Sequence, residues 1–137
     1  MLDTARTGPL YLNQPDLAGL VMEYLIDTAQ GDKLYDLHAF AIMPNHVHVL
    51  FAPNIPLGQI MQRVKGGTAR LANQVLDATG KAFWQDESYD HYVRDRDEFP
   101  RIRSYIELNP VRAGLAATPE EFPYSSASPG CGVPERG

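Results

Sequence analysis

Two short patterns in this 137-residue chain carry residue types that could act together on a substrate. The first is His46-Val47-His48, inside "AFAIMPNHVHVLFAP" (39–53), the most apolar run of the sequence. Side chains alternate along a strand, so His46, His48 and Leu50 share one face, and Val47, Val49 and Phe51 the other. Imidazoles two residues apart are rooted about 6.6 Å from one another. Their ring nitrogens can converge on one cation at about 2.1 Å each. A closed structural zinc site takes four protein ligands, so two histidines imply an open site with room for water, substrate and a further ligand. A histidine pair on a strand is also common without function. Here the apolar flanks make burial costly unless the rings are hydrogen-bonded or ligated.

The second pattern is "SYIELNP" (104–110), in which Tyr105 and Asn109 are four residues apart and stack on one helical face beside Leu108. If that face opposes the strand, Tyr105 could present its phenol and Asn109 its amide oxygen to the same cation. The chemistry is then coherent. A divalent metal polarises a phosphodiester, the tyrosine oxygen attacks phosphorus, and a covalent phosphotyrosine forms as a 3′-OH leaves. That intermediate keeps its bond energy, so the same site can rejoin strands. The phenol's usual pKa near 10 requires a nearby cation to help at neutral pH. Taken alone, Tyr105 is more often a core or helix-surface aromatic.

The elements that must position these groups follow from periodicity. "PLYLNQPDLAGLVMEYLIDTAQGDK" predicts a first helix opened by Pro15 or Asp16, with Leu17, Leu20, Val21, Tyr24, Leu25 and Thr28 at helical spacing, closed by Gly31. "LYDLHAFAIM" predicts a strand with Leu37, Ala39, Ala41 and Met43 on one side and His38, Phe40 and Ile42 on the other. Pro44-Asn45 turns into "HVHVLFA", giving an antiparallel hairpin. "PLGQIMQRVKGGTARLANQVLDATG" is a second helical region, apolar at Ile60, Met61, Val64, Leu71, Val75 and Leu76. Gly66-Gly67 interrupt it as a bend or a close backbone approach. An aromatic segment around Phe83, Trp84, Tyr89 and Tyr92 reads as a short strand or loop. "RDEFPRIRSYIEL" forms a third helix with Phe99, Ile102 and Ile106 inward. Pro110 turns the chain after it, and Gly114 ends the next turn. The order predicts an α+β fold, an antiparallel sheet with helices packed on it.

The length suits a single domain, expected over 1–128, with a disordered tail at 129–137. The start has no signal pattern and no run approaches the roughly 18 apolar residues of a membrane span, so a cytoplasmic protein is expected. Cys131 is the lone cysteine, which excludes a disulfide framework and a cysteine zinc site. The net charge of −5 is uneven: residues 1–56 carry −4, 57–112 carry +1 and 113–137 carry −2. The central segment therefore holds the arginines and lysines able to face a phosphate backbone, or simply a solvated surface of mixed sign.

Two familiar histidine motifs fail. Histidine-triad nucleotide hydrolases need a third alternating His, where this chain has Leu50. The metallo-β-lactamase pattern needs Asp and His soon after the pair, and "VLFAPN" has neither. "AIMPNHVHVLFAP" instead resembles the His-hydrophobic-His signature of single-tyrosine HUH transposases, in particular their REP-associated tyrosine transposase branch. "FWQDESYDHYVRD", "RIRSYIELNPVRAGL" and "FPYSSAS" are similar to that branch's later motifs in the same order. The resemblance runs from about residue 8 to 128. It implies a ferredoxin-like fold, His46, His48 and Asn109 as ligands of Mg²⁺ or Mn²⁺, and Tyr105 as nucleophile. It also implies single-stranded or hairpin DNA as substrate, cut through a 5′-phosphotyrosine. Arg63, Lys65, Thr68 and Arg70 on the second helix are similar to a DNA-contacting segment, and structural roles for them stay open; Arg94 and Arg112 are further candidate contacts. The family usually begins with another strand where this sequence has "MLDTART", so the resemblance implies a sheet short of its first strand, with an edge open to a second copy. A catalytically silent nucleic-acid-binding relic is the alternative function, and a small interaction domain with structural histidines a third. The roles of Glu87, Asp90, Glu107, His38 and His91 are open.

Overall fold

A computed structural model of the chain describes residues 12, 14–76, 89–92 and 96–129. The order is α1 (Pro15–Gln30), β1 (Tyr35–Met43), β2 (His46–Pro53), α2 (Leu57–Leu76), β3 (Tyr89–Tyr92) and α3 (Phe99–Arg112), with single 3₁₀ turns at Arg96–Glu98 and Pro119–Glu121. The α+β reading holds. Phe83, Trp84, Glu87, Arg94 and the tail from 130 lie outside the described residues.

Pro15 starts α1 where its missing N–H costs nothing, and Asp16 complements the positive end of the helix dipole. The helix buries Leu17, Ala18, Val21, Leu25 and Thr28 against the sheet. Pro44 and Asn45 close the β1–β2 hairpin, pairing Met43 with His46 and Tyr35 with Pro53 antiparallel. β3 then joins β2 in parallel, Val47 opposite Tyr89 and His48 opposite Asp90, after a crossover through α2. The order β1-β2-β3 makes β2 the central strand, which is why "HVHVLFA" is apolar on both faces. The antiparallel hairpin is as expected; the parallel addition of the third strand was not legible from a segment of four residues.

Three local expectations are corrected. The first concerns β1, whose register shifts between Leu37 and Ala39, a bulge that inserts one residue and reverses the alternation. Leu37 thus joins Phe40 and Ile42 in the core under α1 and α2. Ala39, Ala41 and Met43 face α3. His38 stacks on Phe99 of α3, centroids 4.5 Å apart, and its carbonyl accepts from Arg103 Nε at 3.2 Å. Next, α2 is one helix through Gly66 and Gly67. Of the two expected explanations the close approach is right: a Cβ on Gly67 would lie 2.0 Å from the Tyr24 hydroxyl of α1. Last, α3 continues past Asn109 to Arg112 with Pro110 inside it, leaving only the Ile106 carbonyl without its amide partner. Gly114 at φ +76 ends it; Leu115 N–H bonds the Pro110 carbonyl (2.8 Å) and Gly114 N–H the Val111 carbonyl (3.0 Å), a Schellman closure.

The sheet separates two cores. On one face α1 and α2 cover Val47, Val49, Phe51, Leu37, Phe40 and Ile42. On the other α3 covers Ala39, Ala41, Met43 and Leu50 with Phe99, Ile102 and Ile106. The free side of β1 is not bare. Tyr124–Ser126 lies along it: Ile42 N–H bonds the Tyr124 carbonyl (2.8 Å), Ser126 N–H bonds the Phe40 carbonyl (3.0 Å), and Ala41 bridges Ser125 antiparallel. The edge expected to invite a second copy is therefore occupied from within at Phe40–Ile42, which removes that motive for a dimer there; an N-terminal strand would fall among residues that are not described. No helix among the described residues is long and apolar enough to cross a membrane.

Candidate active site

β2 begins at His46, directly after the hairpin turn, and this places both imidazoles on the α3 face at the turn end of the sheet. Both are buried, at 1% and 0% exposure, as their apolar flanks required. The rings meet edge to face with centroids 4.8 Å apart. Their Nε2 atoms are 3.2 Å from each other. The turn itself contributes: Asn45 Oδ1 lies 2.8 Å from His46 Nδ1. An amide oxygen can only accept, so the proton of His46 sits on Nδ1 and the Nε2 lone pair is directed at His48. This is the arrangement in which an outer hydrogen bond fixes a ligand's tautomer. Asn45 was legible only as a turn residue; an amide immediately before the histidine pair was the available signal.

α3 supplies the facing groups. Tyr105 stands at the rim, 37% exposed, its ring centroid 6.1 Å from that of His48. Asn109, one turn later, is buried at 4% exposure and donates from Nδ2 to the Tyr105 carbonyl at 2.8 Å. A carbonyl accepts only from the amide nitrogen, so Oδ1 is the atom Asn109 keeps for another partner. Arg112 closes over this turn: its Nη1 donates to the same carbonyl at 3.2 Å and its guanidinium carbon is 5.3 Å from the centre of the Tyr105 ring. Glu107, also buried, accepts from Ser126 Oγ at 2.5 Å, while that oxygen accepts from Phe40 N–H at 3.0 Å. Glu107 therefore ties α3 to the C-terminal segment along β1. Asp90 is the register neighbour of His48 on β3.

The pair can be tested against a cation. Two nitrogens about 2.1 Å from one metal, separated by 90° to 109°, lie about 3.0 to 3.4 Å apart. The observed 3.2 Å falls inside that window, so the two Nε2 atoms are spaced to share an ion once neither carries a proton. Among the described residues no three His, Cys, Asp or Glu side chains gather around a common point. Asn109 on the facing helix carries an amide oxygen, a neutral donor outside that set.

The basic residues divide sharply. Arg112 shares the face of Tyr105, whereas Arg63, Lys65, Thr68 and Arg70 ride on α2, which packs on the opposite face. Arg63 pairs with Asp32, and its carbonyl accepts from the Tyr24 hydroxyl at 3.3 Å. A side-chain hydrogen bond with Tyr24 and the nearby Asp32 push the pKa of the Arg63 guanidinium further up. Thr68 is a correction: it is fully buried and its hydroxyl bonds back to the Val64 carbonyl at 2.7 Å, so it has no surface to offer DNA. Helical spacing alone could not say which side of α2 the α1 contact would take.

The chain matches the family described as "Transposase IS200 like" over residues 15–109, a span that contains His46, His48, Tyr105 and Asn109. It belongs to that family. Among curated proteins it is 22% identical over 107 residues to the "REP-associated tyrosine transposase" of Escherichia coli (strain K12), covering 77% of this chain and 62% of the relative. An uncharacterised protein of Haemophilus influenzae is 29% identical, covering 53% of this chain and 52% of its own. The chain thus spans between half and two thirds of the curated relatives it matches. No solved structure matches it.

Proposed function

We propose that the chain cuts and rejoins single-stranded or hairpin DNA, with Tyr105 as nucleophile and His46, His48 and Asn109 holding Mg²⁺ or Mn²⁺. The observation that carries this reading is the meeting of a rim tyrosine with a buried imidazole pair at cation-sharing distance. Family membership and the REP-associated relative support it.

Tyr105 is 37% exposed and lines an open groove, so a backbone phosphate meets this residue without entering the core. The phenol oxygen attacks phosphorus and loses its proton; the P–O3′ bond breaks, and the departing 3′-oxygen takes up a proton. The product is a 5′-phosphotyrosine, and attack by a 3′-OH reverses each step. A bound divalent cation would supply positive charge to the phosphate oxygens. Asn45 holds His46 in the tautomer that exposes its Nε2 lone pair. Asn109 and Arg112, both fastened to the Tyr105 carbonyl, hold the backbone from which the nucleophile projects.

The test is incubation of the protein with 3′-labelled hairpin DNA and Mn²⁺, followed by a denaturing gel. A covalent protein–DNA band is expected for the wild type and none for Tyr105→Phe. Binding without any covalent band would replace this reading by the silent DNA-binding one, and a band that survives Tyr105→Phe would assign the nucleophile elsewhere.

A further inference from the structure

The outward positions of α3 that remain uncommitted to the core are Arg101, Ser104, Tyr105, Leu108 and Arg112. Steps of three and four residues put them on one stripe of the helix. Together with Glu98 they line a groove of about 590 Å³ floored by Ile102, within the roughly 300–1,000 Å³ of ligand-sized clefts. Tyr105 lies within this groove, so whatever occupies it also reaches the nucleophile. Leu108, 37% exposed, is an apolar surface beside that tyrosine that no described residue covers fully.

The charges at the two ends are of one kind. At 1.5 Å per residue, Arg101 is rooted about 6 Å from Tyr105 in one direction along the helix and Arg112 about 10 Å in the other. Arg101 pairs with Glu98, three residues before it, and the two side chains are 75% and 40% exposed. Exposed pairs of this type hold weakly, so a phosphate can displace the carboxylate. Arg112 spends one nitrogen on the Tyr105 carbonyl, and its planar guanidinium has four further N–H donors.

We propose, on the reading of Tyr105 as nucleophile, that this stripe seats the cleaved DNA strand. Arg101 and Arg112 bind phosphates on opposite sides of the bond under attack, and Leu108 supports the sugar or base between them. The apolar residue between two cations favours a single strand, since that is the pattern that takes an unpaired base against a tracked backbone. The arginines on the far face of the sheet play no part in it.

The Tyr105→Phe protein keeps the ring and does no chemistry, so binding of fluorescein-labelled dT₁₂ by anisotropy across a sodium chloride series isolates the seat. Arg101→Gln and Arg112→Gln are each expected to flatten the slope of log K against log salt by about 0.7, the value for one phosphate contact on a single strand. Leu108→Ala is expected to weaken binding with the slope intact. Lys33→Gln, at the α1–β1 turn, removes an equal charge and should leave the slope alone. Unchanged slopes for both arginine variants, an equal change for Lys33→Gln, or no binding of dT₁₂ would each overturn the seat. Flattened slopes without a covalent band in the cleavage gel would retain the seat and remove the nucleophile; a band with unchanged slopes would do the reverse.

Discussion

β2 presents the same backbone to two faces and serves a different purpose on each. Toward α1 and α2 it shows Val47, Val49 and Phe51, which with Phe40 and Leu25 make an apolar core without a charged member. Toward α3 it shows His46 and His48, and α3 answers with Asn109 and Glu107, all four buried. Burying polar groups is expensive unless each is bonded, so on the second face stability comes from Met43, Leu50, Phe99, Ile102 and Ile106 rather than from these four. The apolar residues of both faces hold the sheet and α3 in place around these polar groups. The same division explains why basic residues on α2 cannot substitute for Arg112.

The largest expected effect tests the packed face. Phe40→Ala removes a fully buried ring from it and should cost about 3–5 kcal/mol, read as a shift in urea midpoint. If the α3 face suffered as much from His48→Leu, the division would be wrong; that change strands the buried His46 Nε2 and should cost about 1–3 kcal/mol. Metal should act only through the second face. Mn²⁺ at about a hundredfold its dissociation constant should stabilise the wild type by about 2.7 kcal/mol in thermal melts, and the His48→Leu variant by nothing.

A smaller effect probes the link between the faces and the C-terminal segment. Ser126→Ala removes the hydroxyl that donates to Glu107 and accepts from Phe40 N–H, and should cost about 1–3 kcal/mol. Loss of protection at Ile42 N–H in hydrogen exchange would locate that loss at the β1 edge. The smallest expected effect is on the packed face again. Burial pushes the Tyr35 phenol up, while its hydroxyl donates to the Leu25 carbonyl at 2.8 Å. The unfolded phenol ionises near its usual pKa of about 10 and the folded one only above that, so stability is full below pH ~10 and declines as pH rises beyond it. Tyr35→Phe should lose about 1 kcal/mol at neutral pH for the missing hydrogen bond and show a weaker alkaline decline in chemical melts.

Much of this was legible from residue order. Period-two alternation located the hairpin and put His46 and His48 on one face, and the four-residue spacing put Asn109 a turn from Tyr105, because both patterns depend only on local backbone geometry. The bulge at Leu37–Ala39 was not legible, since it is dictated by pairing with β2 and by Arg103 reaching the His38 carbonyl from a helix 65 residues away. Pro110 suggested a helix end because its lost hydrogen bond weighs against continuing; burial of Ile106, Asn109 and Pro110 against the sheet outweighs that one bond. Gly67 carried a usable signal, and only its contact, Tyr24, was hidden.

The sequence by itself determined the kinds of atom available: two imidazoles, an amide, a phenol and a guanidinium, each on a face that local periodicity assigns. Tertiary structure decided which of those faces meet. Whether α3 or α2 shares a sheet face with the histidines depends on long-range packing: α2 docks beside α1 through Gly67, and α3 is drawn to the opposite face by Phe99, Ile102 and Ile106. Because side-chain chemistry acts over a few ångströms, that choice of face made Arg112 a neighbour of Tyr105 and left Arg63 beside Asp32.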